Sequence, residues 1–234
     1  MTHPRPIRSL RWTLLTASLL GGCLPLMPGC DSIAYVSHAF EDDRIPARYQ
    51  LPAGTVAVLV DDPDYRLGDP SLPNVSAAWA VDAISKNVSK VKVIPVTKVV
   101  ELSRKMGQNF ASMPVDQIGS ELGATHVVYV FVESAGVTGD PGLYRPRAMV
   151  RVNVIEVATG KRLFPAGSMS PDVSSQGTAV HGEPLAVSLP YSTSDQNQVA
   201  EAAVFMRQLA QEIGSSVAKV FYKHHPPQVP KYHD

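Results

Sequence analysis

Three aspartates lie close together in the segment LVDDPDYR, at the end of an uninterrupted apolar run. The run, residues 54–62, predicts a buried central strand, and Asp61, Asp62 and Asp64 stand at its carboxyl end. Active sites of α/β folds lie at that end of the sheet, and carboxylates are typical ligands of Mg²⁺. This segment is therefore the best candidate in the chain for metal-dependent chemistry.

The arrangement of these acids after an apolar strand resembles the motifs of two known families. Haloacid-dehalogenase phosphotransferases begin with Asp-x-Asp after an apolar strand, and receiver domains carry paired acids at such a position. Tyr65 and Arg66 follow the motif, where the haloacid-dehalogenase family has Thr or Val. A phosphotransferase site also needs an acidic or Ser/Thr residue at the end of the strand 126–132, and only Glu133 and Ser134 are available there. Because Asp and Pro favour turns, we expect a strand-end turn here. Metal-dependent phosphotransfer by Asp61, Asp62 and Asp64 is the alternative.

Other patterns give no catalytic residue. Gly160-Lys161 lacks the upstream glycine of a phosphate-binding loop and predicts a hairpin turn. His224 and His225 are expected at the C-terminus of a helix, where cationic character is favourable, and His233 lies in a Pro-rich tail. No G-x-S-x-G motif is present. We therefore expect no enzymatic activity, no cofactor and no metal.

Both cysteines lie in the first thirty residues, in LLGGCLPLMPGC. Three arginines, Arg5, Arg8 and Arg11, precede a short apolar run at residues 12–20, as in a secretory signal. The run is too short to span a bilayer as a helix. Leu20-Gly21-Gly22-Cys23 resembles the bacterial lipobox, whose cysteine receives diacylglycerol and acyl chains such as palmitate.

Cys30 is the alternative lipidation site. Pro28, two residues before it, is atypical of a lipobox. By resemblance to enterobacterial lipoproteins, Leu24 after Cys23 favours transport to the outer membrane, whereas Asp31 after Cys30 would favour the inner membrane. We expect Cys23 to carry the lipid. The absence of cysteine after residue 30 excludes a disulfide scaffold or a Cys-ligated metal site in the body.

Length and charge limit the remaining classes. The 234 residues suffice for one domain with tails. Lys and Arg total 21, as do Asp and Glu, so no basic excess indicates nucleic-acid binding. The predicted organisation is a lipoprotein signal peptide at 1–22, a tether at 23–50, an α/β domain at 51–225 and a Pro-rich flexible tail at 226–234.

Periodicity predicts the elements of that domain. Apolar runs and alternation predict strands at 54–62, 91–96, 126–132 and 147–157, and a return strand after Thr159-Gly160. Helical spacing predicts a helix after Asn74 as N-cap, a short helix at 97–106, and one at Val115–Leu122 ended by Gly123. Val150, Val152 and Val154 are expected to face inward, with Arg151 and Asn153 toward solvent. Residues 165–194 predict a long loop.

The C-terminal helix has the clearest pattern. Its apolar stripe recurs at spacings of three and four residues and predicts packing across the sheet: Val199, Ala202, Met206, Leu209, Ile213, Val217 and Val220. Phe205 lies off the stripe, and Phe221 and Tyr222 lie at its end. We expect these three aromatics to be exposed and to contact a partner.

The predicted fold is α/β, with a single mixed central sheet, helices packed on it, β-α-β-α-β-β-β-α order and a long C-terminal helix. At ELGATHVVYVFVE, followed by VNVIEVATGKRLF, residues 52–222 resemble an α/β domain of periplasmic lipoproteins. That superfamily includes penicillin-binding-protein activator lipoproteins, curli secretion lipoproteins and the N-terminal domain of the Tol–Pal β-propeller protein. The resemblance implies binding or assembly rather than catalysis.

We therefore expect a lipid-anchored protein that faces the periplasm, with the outer membrane favoured over the inner membrane. Its expected role is a non-catalytic binding or assembly module. Its partners would be the membrane, through the N-terminal lipid, and another envelope protein; nucleic acid is not expected and no small-molecule substrate is evident. The expected contact surfaces are the loops at 63–73, 134–146 and 165–194. A subunit of a secretion or transport assembly is a further alternative.

Overall fold

A single sheet with helices on both faces forms the body of the protein. The computed structural model describes residues 43–138, 145–166, 182–189 and 198–226. The predicted α/β class, with one mixed sheet and a long C-terminal helix, is confirmed. In chain order the described elements are β1 (Gly54–Asp61), α1 (Leu72–Asn87), β2 (Val91–Val93), α2 (Val96–Met106), α3 (Asn109–Ser112), α4 (Val115–Glu121), β3 (His126–Thr138), β4 (Arg145–Glu156), β5 (Arg162–Phe164), β6 (Glu183–Ser188) and α5 (Gln198–Lys219).

The sheet is parallel on one side and antiparallel on the other. Its order is β2-β1-β3-β4-β5, and β6 also pairs with β4. β1 runs parallel to β2 and β3, whereas β4 is antiparallel to β3, β5 and β6. Helices cover both faces of β1, so its two sets of alternating side chains are both buried. This is why its sequence is an uninterrupted apolar run.

Helices α1 and α5 pack on one face of the sheet. Val58, Val130 and Val152 come from three neighbouring strands and share a cluster with Ile84 of α1 and Ile213 of α5. Ile213 is 0% exposed. The predicted packing of the C-terminal helix across the sheet is confirmed. An amphipathic helix obtains most of its stability from such contacts.

The contact between α1 and α5 is close at Gly214. A Cβ atom at this position would lie 2.2 Å from the backbone oxygen of Ser76 and 2.8 Å from Cβ of Trp79. Any side chain there would push the two helices apart. A glycine in a helix interior is otherwise unfavourable, so its presence reflects this approach.

Helices α2 and α4 cover the opposite face. Leu59 and Tyr129 point into a second cluster, with Val99 of α2 and Ile118 of α4. Gly123 follows α4 with φ of 69°, which fits the left-handed conformation expected from the sequence.

The predicted long loop at 165–194 contains a strand. β6 pairs with β4 in antiparallel register, with Leu185 opposite Val150 and Val187 opposite Ala148. The sequence signal was weak because β6 has only six residues and includes Pro184, which is tolerated in a strand at an edge position. Residues 167–181 and 190–194 of the predicted loop lie outside the described residues.

Three further expectations are corrected. Helix α1 begins at Leu72 after Ser71, so Asn74 is not its N-cap. Asn153 is 0% exposed rather than solvated, because the sheet face on which its side chain lies is covered near the C-terminal end of β4. The described parts of the predicted loop at 134–146 are strand, since β3 continues to Thr138 and β4 starts at Arg145.

The first described residues lie along the end of α5. Backbone N–H and C=O groups of Ile45 pair with those of His224, and the N–H groups of Arg48 and Tyr49 donate to the carbonyl of Val220. Asp43–Asp234 is one compact unit, and it contains every residue of both core clusters. A fragment that begins at Asp43 therefore keeps the whole described core. The predicted boundaries of signal peptide, tether and tail stay predictions.

Among the described helices, none combines the length and apolar character that crossing a membrane would require. Cys23 and Cys30 lie outside the described residues.

Candidate functional site

A cavity of about 520 Å³ lies at the carboxyl end of β1. The end of β1, the start of α1, helix α2 and the segment from α3 to α4 surround it. Most of its lining is apolar and includes Val99, Met113 and Ile118. Its polar lining comes from six side chains: Asp61, Ser71, Asn74, Ser103, Arg104 and Tyr129. The cavity thus lies where α/β folds bind ligands.

Asp61 and Tyr129 form a hydrogen-bonded pair in this cavity. Tyr129 lies on β3 opposite Leu59 of β1, and its hydroxyl donates to Oδ2 of Asp61 at 2.7 Å. Tyr129 is only 3% exposed, so its hydroxyl needs a protein partner. The register of the two parallel strands places that partner within reach.

Burial controls the ionisation of both groups. It raises the pKa of Asp61; the hydrogen bond from Tyr129 opposes this shift, and the nearby charges of Asp62 and Asp64 add to it. Burial also raises the pKa of Tyr129, and the adjacent carboxylate of Asp61 raises it further. The pair therefore holds the phenol proton firmly and leaves Asp61 with a partly desolvated carboxylate.

Asp62 has a structural role in the turn after β1. Its Oδ1 accepts the N–H of Arg66 and its Oδ2 accepts the N–H of Leu67, both at 2.9 Å. The turn includes Tyr65 with φ of 54°, a conformation that such local bonds help to hold. The predicted strand-end turn is thus present, with Asp62 as its organiser.

Asp64 forms an ion pair with Arg66. Its Oδ2 lies 2.6 Å from Nη2 of Arg66. Nη1 of Arg66 donates to the carbonyl oxygen of Val132 at 2.9 Å and also to that of Glu133. Arg66 therefore covers backbone acceptors of β3 just beyond Phe131, the last residue that pairs with β1.

The three carboxylates consequently do not converge on one point. Asp61 contacts a phenol, Asp62 contacts two backbone N–H groups, and Asp64 contacts a guanidinium group. Within residues 43–138, 145–166, 182–189 and 198–226, no group of three His, Cys, Asp or Glu side chains could hold a metal ion. The geometry gives no support to the alternative of metal-dependent phosphotransfer by these acids.

A long hairpin is the second distinctive feature. β3 pairs with β1 only as far as Phe131, yet it continues beside β4 to Thr138. A bulge between Val132 and Ser134 turns Glu133 toward Arg151, and Oε2 of Glu133 lies 2.9 Å from Nε of Arg151. The hairpin extends the sheet past the end of β1.

One face of this hairpin is basic. Arg145, Arg147 and Arg151 occupy alternate positions of β4, so they share a face of the sheet. Arg151 pairs with Glu133. Arg145 and Arg147 are exposed, and the structure records no ion-pair partner for either among the described residues.

The aromatic residues of the C-terminal helix are less accessible than expected. Phe221 is 3% exposed and belongs to the core cluster beneath α5, so the expectation that it is exposed is wrong. The chain turns after Lys219, and this turn directs Phe221 inward. Phe205 and Tyr222 are half-buried. Their contact with a partner stays a prediction, whereas a buried Phe221 offers no free surface.

Two minor predictions are placed by the structure. Residues 157–161 form the turn between β4 and β5, in which the hydroxyl of Thr159 donates to Oε2 of Glu156 at 2.6 Å. His224 follows α5, with Nδ1 3.1 Å from the carbonyl oxygen of Tyr222. His233 lies outside the described residues.

Sequence reasoning missed Tyr129, Arg66 and the cavity. A phenol within an apolar strand indicates a buried hydroxyl that needs a partner, so Tyr129 carried a usable signal. No pattern in the sequence indicated the role of Arg66, because the carbonyl oxygens that it contacts lie on a strand distant in sequence.

Comparison with solved structures finds distant likenesses. Lipoprotein GNA1162 from Neisseria meningitidis is 14% identical, with 70% of this chain and 100% of that chain covered and a TM-score of 0.41. The PelC dodecamer from Paraburkholderia phytofirmans is 14% identical, with coverage of 76% and 92% and a TM-score of 0.35. Protein CT253 from Chlamydia trachomatis is 15% identical, with coverage of 71% and 98% and a TM-score of 0.36.

All of these TM-scores are below 0.5, so these likenesses support no conclusion about the function of this chain. No protein-family model matches the chain, and no curated protein matches it. The periplasmic lipoprotein superfamily that the sequence resembles is not confirmed.

Proposed function

We propose that this protein is a lipid-anchored component of a bacterial cell envelope, facing the periplasm. Its α/β domain acts as a non-catalytic binding or assembly module. The domain engages an acidic surface of another envelope protein through the β3–β4 hairpin. A subunit of a secretion or transport assembly is a special case of this role.

The sequence supports the anchor. Leu20-Gly21-Gly22-Cys23 follows a basic segment and a short apolar run, the arrangement of an export signal that ends in a lipid-accepting cysteine. Lipid on a single cysteine attaches a protein to a membrane without a transmembrane helix. Cys30 is the alternative acceptor, and the outer membrane is the proposed location on the basis of Leu24.

The hairpin is the observation that carries the binding role. From Val132 to Thr138, no strand among the described residues pairs with β3 on the side where β1 ends. An unpaired strand edge presents backbone groups that can pair with an added strand. Arg66 covers two of the carbonyls at the start of this edge, which leaves the outer part open.

Charge supports an acidic partner. Arg145 and Arg147 stand exposed on the hairpin, although the chain as a whole has no net charge. Complementary charge increases the rate of association and favours a partner of the opposite sign. The paired Arg151 and Glu133 would instead keep the hairpin in register.

Site-specific photocrosslinking in cells tests the proposal. A photoreactive amino acid replaces Ser134, which is exposed on the hairpin opposite Met149. The matched control replaces Ser85, an exposed serine on α1. We expect a discrete protein adduct from position 134, no such adduct from position 85, and loss of the adduct when Arg145→Glu and Arg147→Glu are combined.

Two results would contradict the proposed partner surface. One is an equal pattern of adducts from both serine positions. The other is an adduct from position 134 that persists unchanged after both arginine charges are reversed, provided that the variant melts at the same temperature as the wild type.

A further inference from the structure

The cavity beside Asp61 has the dimensions of a ligand site. Its volume of about 520 Å³ lies within the range of roughly 300–1,000 Å³ that is usual for small-molecule pockets. Val99 and Ile118 are nearly buried and form part of its apolar wall. Such a pocket binds a ligand that is mostly apolar and is oriented by a few polar contacts.

Asp61 is a half-buried charged group at this site with unused hydrogen-bonding capacity. Its Oδ2 accepts the hydroxyl proton of Tyr129, whereas its Oδ1 has no recorded partner among the described residues. The hydroxyl of Tyr129 is already engaged as a donor. The pair therefore leaves one carboxylate oxygen of Asp61, a residue that lines the cavity, available as a charged acceptor.

We propose that this cavity binds a small organic cation with an apolar body, whose ammonium group contacts Oδ1 of Asp61. The apolar body lies against Val99, Met113 and Ile118. This inference does not depend on the proposed function, since it concerns the cavity and not the edge of the β3–β4 hairpin.

Charge around the site favours a cation over an anion. A half-buried carboxylate gains most from a ligand that supplies the opposite charge within the same desolvated space. Asp62 and Asp64, close enough to raise the pKa of Asp61, add negative potential. Arg104 also lines the cavity, but it is exposed and its charge is screened by water.

Three probes of similar shape distinguish the possibilities. Phenethylammonium, phenethyl alcohol and phenylacetate share an aromatic body and differ in the charge of the head group. Isothermal titration and thermal unfolding of the fragment 43–234 measure their binding. We expect phenethylammonium to bind at least about tenfold more tightly than either of the other probes, because charge-assisted hydrogen bonds are the stronger ones.

Two variants locate the site. Asp61→Asn keeps an oxygen acceptor and removes the charge, and we expect it to weaken phenethylammonium binding by at least about tenfold. Val100→Trp, at a half-buried position that lines the cavity, should fill the space and abolish binding of every probe. Asp82→Asn, which removes an exposed charge from α1, is the control and should bind as the wild type does.

Specific outcomes would overturn the inference. Phenylacetate binding as tightly as phenethylammonium would make Arg104 the recognition group. Unchanged binding in Asp61→Asn or in Val100→Trp would place the site elsewhere, and no binding of phenethylammonium to the wild-type fragment would remove it. The melting curve of each variant without probe is compared with that of the wild type, so that misfolding is distinguished from loss of the site.

Discussion

The hydroxyl of Tyr129 on β3 donates a 2.7 Å hydrogen bond to Oδ2 of Asp61, the last residue of β1. The two strands are parallel neighbours, so the bond links a buried phenol to a carboxylate at the end of the sheet. It engages Oδ2 of Asp61, whereas Oδ1 has no recorded partner among the described residues.

The pH dependence of stability follows from Asp61. Because its pKa in the folded protein is raised from its ordinary value of 3.8, the folded state binds the proton more tightly than the unfolded chain. The stabilising contribution is fully present below that ordinary value and is lost as the pH rises through the higher folded pKa. We expect Asp61→Asn to be at least as stable as the wild type at neutral pH, with a smaller difference in acid.

Thermal unfolding of both proteins across this pH range measures the difference. Asp82→Asn on the surface of α1, where Asp82 pairs with Lys86, is the control and should change the melting temperature little. A variant Asp61→Asn that is clearly less stable than the wild type at neutral pH, yet equal to it in acid, would show that the carboxylate stabilises the fold when charged.

Packing of α5 gives the largest expected mutational effect. Ile213→Ala removes a side chain that is 0% exposed beneath the helix and should cost about 2–5 kcal/mol. Val204→Ala on the same helix removes a side chain that is 54% exposed and should change stability by less than about 0.5 kcal/mol. Equal melting temperatures for the two variants in fragment 43–234 would contradict the packed arrangement.

The close approach of α1 and α5 predicts an unusual cost for a small side chain. Gly214→Ala should destabilise the fragment by about 1–3 kcal/mol, as overpacking does, although alanine favours helix by about 1 kcal/mol. Gly136→Ala is the control, because no atom lies within 4 Å of its added Cβ. Denaturant unfolding compares them, and a stabilised Gly214→Ala would show that the helices lie farther apart.

Local patterns in the sequence suffice for much of the fold. The periodic stripe of α5 and the apolar run of β1 each indicate both an element and the side that it buries, and Gly123 marks the end of α4. The strand β6 was missed because it is short, contains Pro184 and depends on pairing with β4. Phe221 was misjudged because its burial depends on a turn after the helix.

The candidate site depends on contacts that no local pattern encodes. The acids after β1 indicate where the sheet ends, but not that Asp61, Asp62 and Asp64 contact three different partners. Arg66 reaches β3 across the space where β1 stops. The cavity arises from five segments, Tyr129 of β3 among them, that meet only in the folded chain.

Lipid attachment is the most direct test of the proposed identity as an envelope lipoprotein. Bacteria that express the full chain are grown with a labelled fatty acid, and the purified wild type is compared with Cys23→Ala and Cys30→Ala. The account predicts label in the wild type and in Cys30→Ala, and none in Cys23→Ala. Label retained in Cys23→Ala but lost in Cys30→Ala would move the anchor to Cys30, and an unlabelled wild type would contradict the lipid-anchored role altogether.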